Sequence, residues 1–268
     1  MSRLAGARWA RRRYVDLPQG QIHFLESAMD VPGSMPLVML HPTASSSVTF
    51  LEVIRRLEGE YRVIAPDSPG FGSSDPLEGE VTVPAMASVI VEALTALDVD
   101  RFWLYGNHTG AVLAASIAVS HPDRVERLML SGPPLPSAER KAQMAAAVRP
   151  MMIEEDGGHL VRLWDRYRSF LVSAGLEVPH RELALHLIAT APEETFHAVI
   201  GLDLAALYRG IGCPTMVTSG DRDTLRPGSD DVVGLIGGGV FELIPDAGNF
   251  VVDEAPEAVA AQIRAWFV

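Results

Sequence analysis

The stretch RFWLYGNHTGAVLAASIAVS, residues 101–120, decides the fold. Arg101 to Tyr105 reads as a strand of aromatic and aliphatic residues, and Ala111 to Ser120 as an alanine-rich helix. Only Gly106-Asn107-His108-Thr109-Gly110 separates them. Its two glycines allow a sharp turn in which strand end and helix start come close together. Such a turn lifts its central side chain, His108, above the sheet and aims backbone N–H groups of the helix start at whatever His108 faces.

Working outward, short β-rich runs recur between helical ones. Ile22 to Glu26 reads as an early antiparallel strand, Leu37 to His41 and Arg62 to Pro66 as buried strands, and PDSPGFGSSD (66–75) as the loop that follows. A helix over Val83 to Leu97 precedes the decisive segment; strands at Val125 to Leu130, Thr215 to Ser219 and Val240 to Ile244 follow it, and the helix Pro256 to Phe267 closes the chain. Strands alternating with helices imply an α/β protein with a mostly parallel central sheet covered on both faces. Between Gly132 and Tyr208 the strand signal stops, while helical spacing persists through AERKAQMAAAV, HLVRLWDRYRSFLV and RELALHLIAT. Pro133, Pro134 and Pro136 mark the entry to this insertion; Gly210, Gly212 and Pro214 mark its exit. Helices inserted at the C-terminal edge of a parallel sheet lie over the crevice where such sheets bind ligands. The expected division is therefore a core over 14–132 and 209–268 and a helical cap over 133–208.

Composition narrows the function. The 268 residues carry a formal net charge of -12, which excludes a phosphate backbone as partner, because that mode of binding needs a concentrated basic face. No apolar run approaches the ~18 residues of a membrane span. The single cysteine, Cys213, can form no internal disulfide and reads as a small buried hydrophobe. A cytoplasmic protein is the expectation. Arg3, Arg8, Arg11, Arg12 and Arg13 crowd the start, with no apolar stretch behind them to suggest a signal peptide. Residues 1–13 read as a basic arm, solvated or docked on an acidic partner.

From Tyr14 onward the chain resembles the α/β-hydrolase superfamily, in the cap-bearing branch that holds esterases, haloalkane dehalogenases, C–C hydrolases, hydroxynitrile lyases and cofactor-free dioxygenases. Gly106 to Gly110 matches that family's nucleophile elbow at every position but the nucleophile, where His108 stands. His41-Pro42-Thr43 is similar to the segment that supplies one oxyanion-hole N–H. The resemblance makes Thr43 and Thr109 the backbone donors, since Pro42 has no N–H. Gly220-Asp221-Arg222-Asp223 is similar to the turn carrying the triad acid, with Asp223 rather than Asp221 at the matching position, and Asp67 matches a structural aspartate. Asp246 to Phe250 resembles the family's histidine loop, and there stands Asn249.

A serine hydrolase needs a hydroxyl nucleophile, an imidazole base and a carboxylate to orient it. Only the carboxylate is in its usual place. Asparagine cannot relay a proton near neutral pH, whereas a histidine, with an ordinary pKa of about 6.5, can. The expected catalytic set is His108, Asp223 and Asn249, with His108 paired to Asp223 directly or through Asn249. The expected function is general acid/base chemistry on a small, largely apolar carbonyl compound without an acyl-serine. A lyase, isomerase or cofactor-free oxygenase, or a non-catalytic binding protein, remain open. His41, His159 and Trp164 are the candidates for substrate contact; Arg162 of the cap stands beside them, while His23, His121 and His180 read as structural or surface residues. Ser45, Ser46 and Ser47 read as caps of the next helix, one of them projecting into the oxyanion region being the alternative. No histidine and carboxylate spacing suggests a metal, and no cofactor is implied. The expected partner is a small molecule, with a second copy of the chain left open.

Overall fold

The computed structural model describes residues 9–29, 31 and 33–268. Eight strands form one sheet: β1 Ala10–Leu17, β2 Gly20–Ser27, β3 Leu37–Leu40, β4 Val63–Pro66, β5 Phe102–Asn107, β6 Val125–Ser131, β7 Thr215–Gly220 and β8 Val240–Ile244. Their order is β1-β2-β4-β3-β5-β6-β7-β8. β2 runs antiparallel to β1 and β4, and all remaining pairs are parallel. Helices α1 Leu51–Arg56, α2 Val83–Ala96 and α3 Thr109–Ser120 follow the early strands. Then come α4 Ala138–Ala147, α5 Gly158–Ser169, α6 Glu177–Ile188, α7 Pro192–Gly201 and α8 Leu204–Arg209, and finally α9 Arg226–Leu235, α10 Val251–Glu254 and α11 Pro256–Trp266.

Alternation along the central strands builds two cores. Val38 and Leu40 of β3, with Phe102 and Leu104 of β5, pack on the face covered by α2 and α3. Leu37 and Met39, with Trp103 and Tyr105, pack on the face covered by α1 and α11. Each such aliphatic or aromatic side chain contributes about 1.5–3 kcal/mol on burial. Helix α3 is apolar on all sides and buried from Gly110 through Ala118, as a helix wedged between the sheet and its neighbours must be. The register Leu40↔Gly106 and Asn107↔Ser131 sets the ends of β3, β5 and β6 at one level, and α3 starts there.

Between β6 and β7 the chain runs through α4 to α8, which supply the extra helices of a cap, while α8 packs back on α3 and α9 of the core. Arg181 of α6 grips Asp253 of α10 through two hydrogen bonds, at 2.9 and 2.7 Å, and the Thr190 N–H donates to Gly70 O at 2.9 Å. These contacts seat the cap over the C-terminal edge of the sheet.

The basic arm expected over residues 1–13 needs correction. Arg11, Arg12 and Arg13 belong to β1, paired in register with β2, and Arg13 lies 3.5 Å from Glu26. Only Val15 of β1 is fully buried, so backbone hydrogen bonding rather than hydrophobic patterning makes this edge strand. Residues 1–8, with Arg3 and Arg8, lie outside the described residues. Among the described residues no helix is long and apolar enough to cross a membrane.

Asp67, at the end of β4, pins the loop that follows. It is buried, accepts from the Ser47 N–H at 2.7 Å and the Ser73 N–H at 2.9 Å, and meets His23 Nδ1 at 2.8 Å. Burial, the largest single influence, pushes its pKa up. The His23 hydrogen bond, the charges of His41 and His23 and the Ser47 N–H together outweigh burial and hold the carboxyl below its usual range. A depressed folded-state pKa gives stabilisation that is complete above the unfolded value of about 3.9 and is lost as pH falls through the folded value. Asp67→Asn is expected to cost about 2–3 kcal/mol at neutral pH, the scale of a lost charged hydrogen bond, and to flatten the acid limb of stability. Urea unfolding of both proteins from pH 7 down to pH 3 measures this; parallel curves would contradict it.

Candidate active site

The elbow is strained in the way its sequence suggests. His108 adopts φ 50°, ψ -109°, a region that side chains other than glycine rarely occupy, at a cost on the order of 1–3 kcal/mol. Its surroundings hold it there. The His108 N–H donates to Ser131 O at 2.8 Å, and α3 begins at the next residue. A Cβ on Gly110 would lie 2.1 Å from Leu40 O, so only glycine lets the start of α3 pack against the end of β3.

Held this way, His108 meets the turn after β7. Its Nε2 lies 2.7 Å from Asp223 Oδ2, with the His108 side chain 14% exposed and that of Asp223 1% exposed. The other carboxylate oxygen, Oδ1, accepts from the Leu225 N–H at 2.8 Å, which fixes the plane of the carboxylate. A carboxylate only accepts, so the proton of the pair sits on Nε2. Nδ1 has no hydrogen-bond partner among the described residues. Gly132, at φ +55°, lies directly against this pair.

Asn249 does not join the pair. Its Oδ1 accepts from the Thr224 N–H at 3.2 Å and its Nδ2 donates to Thr224 Oγ1 at 2.8 Å. The expectation of Asn249 as a catalytic group or bridge is corrected: the amide grips the residue beside Asp223, and His108 reaches the acid unaided. Asp221 turns elsewhere, accepting from the Ala247 N–H at 3.2 Å.

Thr109, the first residue of α3, follows His108 directly. Gly110 would also strike His41 O if it carried a Cβ, which shows how closely the segment after β3 runs along the start of α3. Neither the Thr43 nor the Thr109 N–H has an acceptor among the described residues. His41 is corrected as a substrate contact through its ring nitrogens: Nδ1 meets Pro42 O at 2.9 Å, and Nε2 accepts from the Ser68 N–H at 2.9 Å. Burial lowers its pKa, against the opposing influence of Asp67 and Pro42 O. The ring joins the loops after β3 and β4.

His159 is also engaged locally, its Nδ1 accepting from the Glu154 N–H at 3.1 Å, while Trp164 is half-buried on α5. Arg162 pairs with Glu154. Ser46 precedes the 3-10 turn Ser47–Phe50 without a capping side-chain bond, so the expected serine caps are absent there; Ser45 and Ser47 hydroxyls are buried without partners. The residues missed by sequence reasoning lie one turn farther along α5. A cavity of about 90 Å³ opens beside Thr43 and is lined by Arg149, Arg166, Tyr167, His186 and Glu193, among others. The available signal was helical spacing: Arg166 and Tyr167 follow the one buried residue of α5, Leu163, by three and four positions. Among the described residues no group of three or more histidine, cysteine, aspartate or glutamate side chains is placed to hold a metal ion.

Comparison with known proteins agrees with this fold. The sequence profile of the family described as alpha/beta hydrolase fold matches residues 35–157. The 2-hydroxymuconate semialdehyde hydrolase of Pseudomonas sp. strain CF600 is 35% identical over 107 residues, 38% of this chain and 38% of that protein. Over such segments the chain spans only about a third of the length of the curated relatives it matches. Haloalkane dehalogenase 2 of Mycobacterium tuberculosis is 24% identical over 94% of this chain and 93% of its own. The malate-bound structure of a thermophilic esterase from Thermogutta terrifontis superposes with a TM-score of 0.73 at 26% identity, covering 96% of this chain and 98% of that one. The architecture is the α/β-hydrolase fold with a helical cap.

Gly132 offers a direct test of the His108 geometry. An added Cβ would lie 2.5 Å from His108 Cδ2 and 2.7 Å from Asp223 Oδ2. Gly132→Ala is therefore expected to destabilise the protein by about 1–3 kcal/mol and to push the two side chains apart. Denaturant unfolding with a crystal structure of the variant measures both, and an unchanged pair at unchanged stability would contradict the assigned packing.

Proposed function

We propose that this chain is an enzyme that acts on a small, largely apolar carbonyl compound of the ester, lactone or β-keto type, using His108 as general acid and base and forming no acyl-serine. The observation that carries the reading is the 2.7 Å contact between His108 Nε2 and a buried, oriented Asp223. It leaves Nδ1 as the basic edge of the ring. Water held against Nδ1 loses its proton there as its oxygen attacks the carbonyl carbon, and Asp223 stabilises the imidazolium that results. Charge on the carbonyl oxygen is taken by the Thr43 and Thr109 N–H groups. The imidazolium then returns its proton to the leaving oxygen or carbon, which restores the neutral ring.

Relatives named for hydrolysis of 2-hydroxymuconate semialdehyde and of esters support a small carbonyl substrate at this site. The absence of a hydroxyl at position 108 separates this chain's chemistry from an acyl-enzyme route. A screen of small esters, lactones and β-keto compounds by mass spectrometry identifies the substrate. His108→Ala is expected to abolish turnover, and Asp223→Asn to lower kcat by about 10²–10⁴-fold, the usual worth of general acid/base catalysis. Full activity in either variant would defeat the reading. Serine-directed fluorophosphonates should leave the wild type unlabelled.

The double substitution His108→Ser with Asn249→His tests whether the surrounding backbone keeps hydrolase geometry. Residue 249 already lies beside Thr224 and so near Asp223. The double variant is expected to gain weak esterase activity with burst kinetics and fluorophosphonate sensitivity, while each single variant lacks either the base or the hydroxyl. A folded double variant without labelling would show that Thr43, Thr109 or Asp223 stands out of position for acyl transfer.

A further inference from the structure

We propose that the cavity between the cap and Thr43 is a carboxylate subsite, in which Arg166 and Tyr167 hold the acid group of a small monoanionic substrate while its carbonyl lies toward Thr43. The proposal rests on the reading of the His108 site given above and names the substrate class more narrowly: an otherwise apolar molecule with one carboxylate.

Size and shape come first. At about 90 Å³ the cavity has room for a few waters, or for a carboxylate with one or two carbons attached. Thr43 lines it, so a molecule seated there lies beside the residue whose unengaged N–H is assigned above to the developing oxyanion.

Charge comes second. The lining includes two guanidinium groups, Arg149 and Arg166, and one carboxylate, Glu193. The side chain of Arg166 makes no hydrogen bond or ion pair among the described residues, and the single hydrogen bond of the Arg149 side chain is to Ala146 O at 3.4 Å; both residues are exposed at the mouth of the cavity. Its neighbour Arg162, by contrast, is paired with Glu154. His186 adds no charge, because burial, helped by Arg166, lowers its pKa to about 4. The lining thus keeps one uncompensated positive charge, which one carboxylate balances.

Hydrogen bonding comes third. Tyr167 Oη lies 2.9 Å from His186 Nδ1, and burial, with the nearby Glu182 and Glu193 charges, keeps the phenol protonated. Glu193 lies 3.8 Å from His186 Nε2, beyond hydrogen-bond length, so it does not fix the tautomer. Either the phenol donates to Nδ1 or, with the ring proton on Nδ1, the imidazole donates to the phenol oxygen; the second form frees the phenolic O–H for a ligand, and a bound carboxylate selects it. A neutral donor beside a guanidinium is a suitable pair for a carboxylate, whose two oxygens accept from both.

The test is binding, not turnover. Titrations of ¹³C-labelled propionate and of propionamide, followed by NMR, are run on wild type, His108→Ala, Arg166→Gln and Tyr167→Phe, with circular dichroism to check the fold. Saturable propionate binding is expected in wild type and in His108→Ala. Propionamide should bind at least 10-fold more weakly, Arg166→Gln should weaken propionate about 10-fold, and Tyr167→Phe about 3-fold. No saturation by propionate, equal binding of acid and amide, or unchanged affinity in folded Arg166→Gln overturns the subsite. If Arg166→Gln does not fold, the acid and amide comparison in wild type decides alone. Propionate binding without turnover of any carbonyl compound would remove the His108 reading and keep the subsite; turnover of neutral esters without propionate binding would do the reverse.

Discussion

Everything at the sheet's C-terminal edge depends on one constrained residue, His108, whose backbone is held at positive φ so that its ring can reach Asp223. The constraint spreads to its neighbours. Gly110 must be small to let α3 start against β3, Gly132 must be small to leave room for the ring, and Ser131 O must stand where it takes the His108 N–H. Gly132 in turn donates its N–H to Thr218 O of β7 at 2.8 Å, which ties the elbow to the strand that leads to Asp223. The strain at His108 is sustained because these contacts over-determine it.

Under the function proposed above, an imidazole at the elbow works through a different nitrogen: with Nε2 against the acid, Nδ1 is the one left for proton transfer. In the arrangement with a serine at the elbow, Nδ1 meets the acid and Nε2 meets the nucleophile. Asn249, standing where the resemblance puts the histidine, holds Thr224 and with it the turn that carries Asp223. The same acid therefore serves an imidazole that approaches from the opposite loop.

The central strands were legible in the sequence because they are buried on both faces and bounded by glycine and proline, and those at 22–26, 37–41 and 62–66 lie within a few residues of their observed limits; the edge strand at 240–244, mostly exposed, was found from its β-rich run alone. The strand β1 was not legible. Arg11, Arg12 and Arg13 carry no hydrophobic alternation, and their pairing with β2 uses backbone groups that every residue has. At the site, the elbow announced itself through Gly106 and Gly110, because a covalent turn fixes where residue 108 must point. The cap side chains offered no such signal: a helix can turn any of its faces downward, and α5 brings Arg166 and Tyr167 to the Thr43 cavity while Trp164 is half-buried elsewhere on it. The role of Asn249 was equally hidden, since a hydrogen bond to Thr224 depends on two loops from different strands meeting.

The most direct measurement is the tautomer of His108, read from the ¹⁵N shifts and proton couplings of its ring in protein labelled with ¹⁵N-histidine and assigned with His108→Ala. The account predicts a single neutral form near neutral pH, with the proton on Nε2, hydrogen-bonded to Asp223, and with Nδ1 unprotonated. A proton on Nδ1, or a ring that exchanges freely between its two tautomers, would contradict it.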